Sequence, residues 1–578
     1  MPETKDSQSV PAVETKDKRG APTAETKDKR AAPTAETKDK RARTLAPITS
    51  TFDASLFTNT DELATAFTQA TPYPHTRIAP FCSDSLLRGV RNEMLNRLHY
   101  TQKETDIFKY HQSGDLANLD GLPAAEQAQL PCLRQLRDSL YSREFRDFVS
   151  RVTGCGPLSG SRTDMSTNRY MQGDHLLLHD DVIGDRRVSY IIYLPDPDAA
   201  DACGWADEAG GGLELYAREP NSWAPAECPE KTIRPRWNQL VMFTVLPGQS
   251  HHAVQEVCGE GRERLSIQGW FHFPQPGEPG YSADQMQQLW TDGAESTLSQ
   301  IAALHQRNHG TQETEFMPFP ACIEDTDIVS PEDCTELRRL MNPEYLSESV
   351  MSQVASRFAD DSHIELAQFL KPQVASALQP LLTAADEREK VGNGHMAAHG
   401  TRGAGWVING PPVVRRFACL QSAEDELGVQ LVDIREMFAS PAFARWLAAV
   451  SALALRGRRG TVRRFRAGLD YTLASPDAGS SCTTLDAVLC LAQGNTWADG
   501  VVGGYHCYVD SGDADDASND GSVYRAAGDD GILLTTPASW NSLSLVMREP
   551  NVVRFVKYVS ASAPGSRWDV SFEYCVDE

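Results

Sequence analysis

The chain has 578 residues, 40% of them hydrophobic, and a formal net charge of −24, which suits a globular protein with material for about two to four domains. No apolar run has the length of a membrane span, and the charged N-terminus does not resemble a secretory signal, so we expect a cytoplasmic and/or nuclear protein without a membrane anchor. The 13 cysteines form no C-x-x-C pair, which argues against a zinc ribbon and against a disulfide framework.

Residues 1–46 form a repeat in which Glu-Thr-Lys-Asp begins at Glu3, Glu14, Glu25 and Glu36. Such a mixture of charged residues, Ala and Pro buries too little apolar surface to fold, so we predict a disordered tail. The basic stretch 38–43 is either a nuclear-import or RNA-contact segment or, as we favour, a solvated part of the repeat. The acidic remainder either steers a basic protein substrate or maintains solubility, and it disfavours direct binding of nucleic acid.

Apolar residues at helical spacing predict two helices before the first strands. One begins after Ser83 and Asp84, and the other follows Pro131. The apolar positions of the first helix are Leu86, Leu87, Val90, Met94 and Leu98. Those of the second helix are Leu133, Leu136, Leu140, Phe148 and Val152. We expect both helices to cover one face of a sheet.

From residue 168 to 273 the pattern changes to short β-branched or aromatic runs that are broken by Gly, Pro and Asp. The predicted strands are 188–194, 213–216, 239–245 and 264–273. Short strands of this kind are typical of a double-stranded β-helix, a relative of the jelly roll. The Pro-rich stretch 274–280 marks the exit toward a linker.

One H-x-D motif lies among these strands, at His179 and Asp181. Residues i and i+2 of an extended segment point the same way, so both side chains can bind one cation. A third ligand is available at His252 or at its neighbour His251. Two imidazoles and one carboxylate leave three adjacent coordination positions open, which is the arrangement that a non-haem Fe(II) oxygenase needs for its co-substrate and O2.

Arg264 follows the distal histidines at the start of a predicted strand, on the same face as Ser266 and Gln268. An arginine fork binds a carboxylate through two hydrogen bonds, and a 2-oxoglutarate oxygenase must anchor the far carboxylate of its co-substrate. The order of H-x-D, distal histidine and arginine therefore predicts Fe(II) as the cofactor and 2-oxoglutarate and O2 as co-substrates.

Several stretches carry a more specific resemblance. They are the run 170–181, Ser-Tyr-Ile-Ile-Tyr-Leu-Pro at 189–195, Gly-Gly-Gly-Leu-Glu-Leu-Tyr at 210–216, Trp-Asn-Gln-Leu at 237–240, Arg-Leu-Ser-Ile-Gln-Gly-Trp-Phe at 264–271 and Phe-Leu-Lys-Pro at 369–372. These stretches resemble the eukaryotic ribosomal prolyl hydroxylases, which are two-domain 2-oxoglutarate oxygenases. The resemblance extends over nearly all of the chain after the tail.

The resemblance implies that His179, Asp181 and His252 bind Fe(II), and the spacing to Arg264 in this family favours His252 over His251. It also implies that Arg264 anchors 2-oxoglutarate and that Tyr170 and Tyr193 line the co-substrate pocket. The implied activity is hydroxylation of a proline in the decoding-centre protein of the small ribosomal subunit, linked to translation, with ascorbate as a supporting reductant.

The second half combines helical patterns with a β-rich block from residue 461 onward. A helical pattern interrupted by Pro372 has its apolar positions at Ile364, Phe369, Leu370, Val374, Leu378 and Leu381. The β-rich block resembles a decayed copy of the first, because 464–476 can be aligned with 169–181 and 567–570 with 264–267. Ala474 and Pro476 then replace the H-x-D ligands, and Arg554-Phe555 stands around the position of the distal histidine, so we expect no iron there.

We therefore predict an α+β, mainly β protein with two double-stranded β-helix (jelly-roll) domains and flanking helices. The expected limits are 1–46 for the tail, 47–290 for the catalytic domain, 291–314 for a linker and 315–578 for a non-catalytic domain. Two other functions stay open: a 2-oxoglutarate oxygenase with another substrate, or a regulatory binding protein with a vestigial iron site. His175 and His506 are interpreted as packed histidines rather than as ligands.

Overall fold

The computed structural model describes residues 48–199, 205–220, 222–284, 315–324, 328–400, 403–474, 482–510 and 531–577. The predicted tail and linker lie outside these residues, and so does one of two compact units, Met1–Thr44. The elements below belong to the other unit, Leu45–Glu578. In the part of the chain that the structure describes, no helix is long and apolar enough to cross a bilayer.

Eleven strands between residues 75 and 272 form one curled sheet in which the strands pair antiparallel. The strands are β1 His75–Ile78, β2 Thr101–Glu104, β3 Phe108–Gln112, β4 Asp164–Tyr170, β5 His175–His179, β6 Arg186–Tyr193, β7 Leu213–Leu215, β8 Lys231–Ile233, β9 Gln239–Thr244, β10 His252–Val254 and β11 Arg264–His272. Their order is β1-β9-β6-β11-β4-β3-β5-β10-β7-β8, with β2 beside β3. The strand β3 pairs with β4 on one side and with β5 on the other. This order of antiparallel strands in one curled sheet confirms the predicted jelly roll.

Seven α-helices lie among the described residues of the same part of the chain. They are α1 Ile48–Thr51, α2 Ser55–Thr58, α3 Thr60–Gln69, α4 Asp84–Arg97, α5 Ala124–Gln127, α6 Pro131–Leu140 and α7 Arg143–Thr153. Buried leucines of α4 and α6 pack against β6 and β9, as expected. The single helix predicted after Pro131 is wrong, because the Ser142 side chain accepts a hydrogen bond from the Phe145 amide (3.2 Å) and caps a second helix, α7.

Twelve further strands lie among the described residues between 317 and 576. They are β12 Met317–Ile323, β13 His363–Ala367, β14 Trp406–Asn409, β15 Arg415–Leu420, β16 Leu455–Phe465, β17 Tyr471–Thr472, β18 Thr484–Leu491, β19 His506–Asp510, β20 Ile532–Thr536, β21 Trp540–Arg548, β22 Val552–Val556 and β23 Arg567–Val576. The larger sheet has the order β13-β21-β18-β23-β16-β15-β14, with β12 on β16 and β17 on β15, and β20-β19-β22 form a smaller sheet.

The helices of this part are α8 Pro331–Leu337, α9 Glu348–Asp361, α10 Pro372–Glu389, α11 Glu426–Ala439 and α12 Pro441–Ser451. The helical pattern predicted from Ile364 is therefore only partly right. Ile364 lies in β13, where burial alternates along the strand. The helix begins only at Pro372, because proline fits the first turn, where its missing N–H is not needed.

The two large sheets share one topology. The order β1-β9-β6-β11-β4-β3 recurs as β13-β21-β18-β23-β16-β15. The register agrees as well, because Arg264 pairs with Tyr170 on β4 and Arg567 pairs with Phe465 on β16. The second part is thus a structural copy of the first, and Arg567 stands where Arg264 stands.

One detail of the predicted alignment is wrong by one residue. The turn between β4 and β5 is 171–174, whereas the turn between β16 and β17 is 466–470 and contains one residue more. The strand partners show the shift: Lys109 pairs with His175 in the first copy, and Arg416 pairs with Tyr471 at the corresponding place in the second copy. Ala474 therefore corresponds to Leu178 and not to His179, and Pro476 lies outside the described residues.

Residues of the second copy satisfy buried polar groups of the first. The Glu256 carboxylate accepts hydrogen bonds from Ser560 Oγ (2.5 Å), Tyr558 Oη (3.2 Å) and the Ala561 amide (2.7 Å). Glu214 on β7 contacts His399 Nε2 at 2.7 Å. Both glutamates are almost fully buried, so these contacts replace the water that the carboxylates lose on folding.

The contact at Glu256 predicts a pH-dependent stability. Burial raises the pKa of its carboxyl to about 7, although three donors oppose the shift. A raised pKa in the folded state means that the stabilisation is present below the unfolded value and is lost as pH rises through 7. We expect the melting temperature of the wild type to fall relative to that of Glu256→Gln between about pH 5 and pH 8. The exposed variant Glu219→Gln is the control, and parallel profiles of wild type and Glu256→Gln would contradict this prediction.

Candidate metal centre

His179, Asp181 and His252 meet where β5 and β10 pair. His179 ends β5 and His252 begins β10, and the register places the two residues opposite each other. Asp181 Oδ1 lies 3.5 Å from His179 Nε2, and Asp181 Oδ2 lies 3.5 Å from His252 Nε2. The three ligand atoms lie within 4.8 Å of one another. Metal bonds to such atoms are about 2 Å long, so one ion can contact all three.

Both imidazoles present Nε2 to the shared aspartate. His179 Nδ1 lies 2.9 Å from the Leu177 carbonyl, and His252 Nδ1 lies 2.8 Å from the Ser250 carbonyl. A carbonyl accepts only from N–H, so each ring carries its proton on Nδ1 and leaves Nε2 free to bind a metal. His251 is not part of this cluster, because adjacent residues of a strand point to opposite sides.

The electrostatics favour the deprotonated form of two ligands and the protonated form of the third. Burial lowers the pKa of His179, but the Asp181 carboxylate outweighs it and raises this pKa above its ordinary value. Burial and the neighbouring His179 lower the pKa of His252 to about 4. Burial raises the pKa of Asp181, but His252 and His179 outweigh it and hold this pKa well below its ordinary value. A metal binds neutral imidazole and ionised carboxylate, so Asp181 and His252 are in their binding form at neutral pH, and metal binding would release the proton that Asp181 favours on His179.

Asp181 is held by residues that the sequence did not indicate. Its Oδ2 accepts hydrogen bonds from Ser189 Oγ (2.9 Å) and Trp270 Nε1 (3.1 Å), on β6 and β11. Its φ of 62° is left-handed, a conformation that Asp and Asn tolerate better than most residues. Asp180 turns away from the centre and accepts from the Gly248 amide at 3.2 Å. Cross-strand partners of this kind become visible only when the strands are paired.

Arg264 lies on the same cavity as the three ligands, with an unusual environment for a cation. Its guanidinium carbon lies 4.8 Å from the Tyr170 ring and 5.0 Å from the Tyr193 ring. Nε donates to the Gly211 carbonyl at 2.7 Å. Among the described residues, one guanidinium nitrogen and both tyrosine hydroxyls are buried without a hydrogen-bond partner. The unpartnered guanidinium nitrogen and the Tyr170 hydroxyl suit an anionic carboxylate, which would accept from both.

A cavity of about 470 Å³ joins the two features. His179, Asp181 and His252 line it together with Arg264 and Tyr170, whereas Tyr193 packs on Arg264 from behind. The glycines before β7 permit this closeness, since a Cβ on Gly211 (φ 67°) would lie 3.0 Å from Arg264 Cδ. The residues present therefore fit both Fe(II) and 2-oxoglutarate.

Family models match both copies. Residues 165–272 match the 2OG-Fe(II) oxygenase superfamily, and residues 332–578 match the model described as "Oxoglutarate and iron-dependent oxygenase degradation C-term". The chain is 37% identical over 516 residues to the prolyl 3,4-dihydroxylase OGFOD1 of Ostreococcus tauri. This match covers 87% of this chain and 95% of that protein. The chain is also 30% identical over 308 residues to the prolyl 3-hydroxylase OGFOD1 of Xenopus laevis. That match covers 53% of this chain and 48% of that protein.

Among solved structures, a Pseudomonas putida prolyl-4-hydroxylase aligns with a TM-score of 0.27 and 22% identity, over 36% of this chain and 98% of that chain. The site and the family match together define a 2-oxoglutarate- and Fe(II)-dependent oxygenase that uses O2. More closely, the chain belongs to the OGFOD1 family of prolyl hydroxylases, since its similarity covers nearly the whole of such a relative.

Arg264→Lys tests the co-substrate anchor. Lysine keeps the charge but loses the planar fork, including the hydrogen bond to Gly211. Loss of a two-pronged, charge-assisted contact should raise the 2-oxoglutarate concentration for half-maximal rate by about 100-fold, with little change in the KM for the peptide. Steady-state kinetics against 2-oxoglutarate measure this, with Arg262→Lys as the control. An unchanged requirement in Arg264→Lys and a raised one in Arg262→Lys would make Arg262 the anchor.

Proposed function

We propose that this protein hydroxylates a prolyl residue of a protein, and that its substrate is the decoding-centre protein of the small ribosomal subunit. Relatives named prolyl 3,4-dihydroxylase and prolyl 3-hydroxylase support the prolyl substrate. The resemblance to ribosomal prolyl hydroxylases supports the particular protein and a link to translation. The site of action is then the cytoplasm, the nucleus or both.

The observation that carries the proposal is the single cavity shared by the metal ligands and Arg264. When bound, Fe(II) would couple the oxidative decarboxylation of 2-oxoglutarate by O2 to the hydroxylation of a substrate C–H bond, with succinate and CO2 as the other products. The chain's own residues bind and orient the reactants: Arg264 fixes the far carboxylate, and Asp181 bridges the two imidazoles. Buried tyrosines and Leu213 shield the cavity from water.

The net charge of −24 supports a basic partner. Ribosomal proteins are rich in Lys and Arg because they bind RNA. Opposite charge raises the rate of encounter, and salt screens it. The KM for the protein substrate should therefore rise with ionic strength more than the 2-oxoglutarate requirement does.

The test is a mass-spectrometric assay with Fe(II), 2-oxoglutarate and ascorbate under air. Peptides that span each proline of the small-subunit protein are compared with the same peptides carrying Ala in place of Pro. We expect one or two oxygen atoms to be added to one proline-containing peptide, and none by Asp181→Asn. Turnover of 2-oxoglutarate that is stimulated by another protein but by none of these peptides would favour an oxygenase with a different substrate.

A further inference from the structure

Two cysteines of the second copy meet at one end of its larger sheet. Cys575 lies near the end of β23, and Cys482 lies two residues before β18. Their Sγ atoms are 3.0 Å apart. Unbonded carbon atoms rest about 3.5–4.0 Å apart, and sulfur is larger than carbon, so the two sulfurs are closer than ordinary packing places them. A disulfide bond of about 2.05 Å requires a further approach of only about 1 Å.

The backbone around the two cysteines is fixed by the sheet. Cys575 pairs with Thr484 on β18 and with Gly457 on β16. The Val576 amide donates to the Thr483 carbonyl at 3.0 Å, directly beside Cys482. Rotation of the side chains is therefore sufficient to bring the sulfurs together. Both cysteines are partly exposed, so a small molecule in solution can reach them.

A shared metal ion does not explain this contact. A thiolate binds zinc at about 2.3 Å, so two thiolates on one tetrahedral ion lie about 3.8 Å apart. Among the described residues, groups of three or more Cys, His, Asp or Glu ligand atoms occur only at His179, Asp181 and His252. The geometry therefore favours a reaction between the two sulfurs over joint binding of a metal.

The contact also sets the order in which the two thiols react. The Cys575 thiol donates its S–H toward Cys482 Sγ. Burial raises the pKa of Cys575 to about 12, and the adjacent Cys482 adds to this shift. Because the thiolate and not the thiol is the nucleophile, Cys575 does not react first, and Cys482 is the sulfur that attacks an oxidant.

We propose that Cys482 and Cys575 form an oxidation site, at which a small disulfide such as oxidised glutathione converts the two thiols into one disulfide bond. Cys482 attacks one sulfur of the oxidant and releases the other half as a thiol. Cys575 then attacks the Cys482 sulfur of this mixed disulfide and releases the second half as a thiol. The two cysteines lose two electrons and two protons, and the oxidant takes up both. The contribution of Cys482 to the raised pKa of Cys575 disappears once Cys482 is bound to glutathione.

The disulfide bond clamps the last strand of the second copy. It closes a loop of roughly 90 residues and ties β23, which lies between β18 and β16, to the start of β18. A cross-link over a loop of this length restricts the unfolded chain, so the melting temperature of the oxidised protein should rise by about 3 °C. A reducing compartment keeps the two thiols apart from this reaction, and the bond forms when the glutathione pool becomes oxidised.

The test incubates the full chain with Fe(II) and 2-oxoglutarate under argon in mixtures of reduced and oxidised glutathione. The remaining thiols are alkylated, the chain is digested, and the peptides are analysed by mass spectrometry. We expect a peptide containing Cys482 to be joined to one containing Cys575, and we expect the higher melting temperature in the oxidised sample. Failure to join them even in oxidised glutathione alone overturns the proposal, and a joined pair with an unchanged melting temperature overturns the clamp.

Serine variants test the order of attack. Cys575→Ser should accumulate a glutathione adduct on Cys482, because the second step has lost its nucleophile. Cys482→Ser should leave Cys575 as a thiol over the same time. The reverse pattern, an adduct on Cys575 in Cys482→Ser and none on Cys482 in Cys575→Ser, contradicts the proposed order. Neither variant should show the rise in melting temperature.

Cys322→Ser is the matched control. Cys322 is also partly exposed and lies on β12, which is separated from β23 by β16, so it is about 10 Å from β23. This variant should retain both the joined peptides and the rise in melting temperature. Loss of both in Cys322→Ser, or a peptide that joins Cys322 to Cys575 in the wild type, would overturn the assignment of Cys482.

Discussion

Asp181→Asn should abolish hydroxylation while the protein remains folded. The substitution removes the only carboxylate among the three ligand atoms, so Fe(II) affinity should fall by more than about 100-fold. Asparagine tolerates the left-handed φ of 62° at this position, whereas alanine would add backbone strain of about 1–2 kcal/mol. Asparagine is thus the cleaner probe of the lost charge, and Asp181→Ala should show the same loss of activity with an additional loss of stability.

Turnover of peptide and of 2-oxoglutarate, together with calorimetric titration of the metal under argon, measures this effect. His251→Gln is the matched control, because His251 is also a buried histidine beside the centre but points away from it. We expect His251→Gln to retain iron and most of its activity. Full turnover by Asp181→Asn with iron supplied would show that Asp181 is not a metal ligand. Loss of iron binding in His251→Gln would show that His251, and not His252, is the distal ligand.

The cluster of candidate metal ligands could be predicted from the sequence because two of its members are encoded locally. His179 and Asp181 are two residues apart on one extended segment, and Arg264 opens a strand with clear alternation. The distal ligand could not be chosen from local sequence alone, since His251 and His252 differ only in the side of the strand to which they point. The pairing of His252 with His179 distinguishes them.

The groups that orient these ligands could not be predicted in the same way. Ser189 and Trp270 donate to Asp181 from two other strands, and nothing in their local sequence marks them. The same holds for the ion pair between Arg554 and Glu573 in the second copy, because these residues meet only across the sheet. A single extra residue in the turn 466–470 was enough to shift the predicted alignment of Ala474.

A chain that ends at residue 312 should not fold into an active enzyme, although all of its metal ligands are present. Two apolar clusters combine side chains of the first copy with side chains beyond residue 410. They are Leu178, Tyr216, Ala253, Val413 and Val414, and also Leu177, Tyr471, Leu473 and Tyr558. Two of these residues adjoin candidate metal ligands in the chain: Leu178 precedes His179, and Ala253 follows His252. Truncation exposes this apolar surface directly behind the metal centre.

The same truncation leaves Glu256 and Glu214 without Ala561, Ser560 and His399, at a cost of about 1–3 kcal/mol for each carboxylate that stays buried. Since natural proteins are stable by only about 5–15 kcal/mol, the shortened chain should be unfolded or aggregated and should not bind metal. Circular dichroism, sedimentation and metal titration measure this. A soluble shortened chain with wild-type melting temperature and turnover on the whole protein substrate would remove the supporting role of the second copy.

Full-length variants separate loss of the interface from loss of other parts of the second copy. Val414→Asp places a charge in the first of the two apolar clusters, where Val414 is 3% exposed. An unpaired buried charge should lower the free energy of unfolding by about 3–5 kcal/mol and should weaken metal binding, because the cluster includes the neighbours of His179 and His252. Val429→Asp makes the same substitution on α11 where valine is 51% exposed, so it should change stability by less than about 0.5 kcal/mol. Equal effects of the two variants would show that the second copy does not support the metal centre through this cluster.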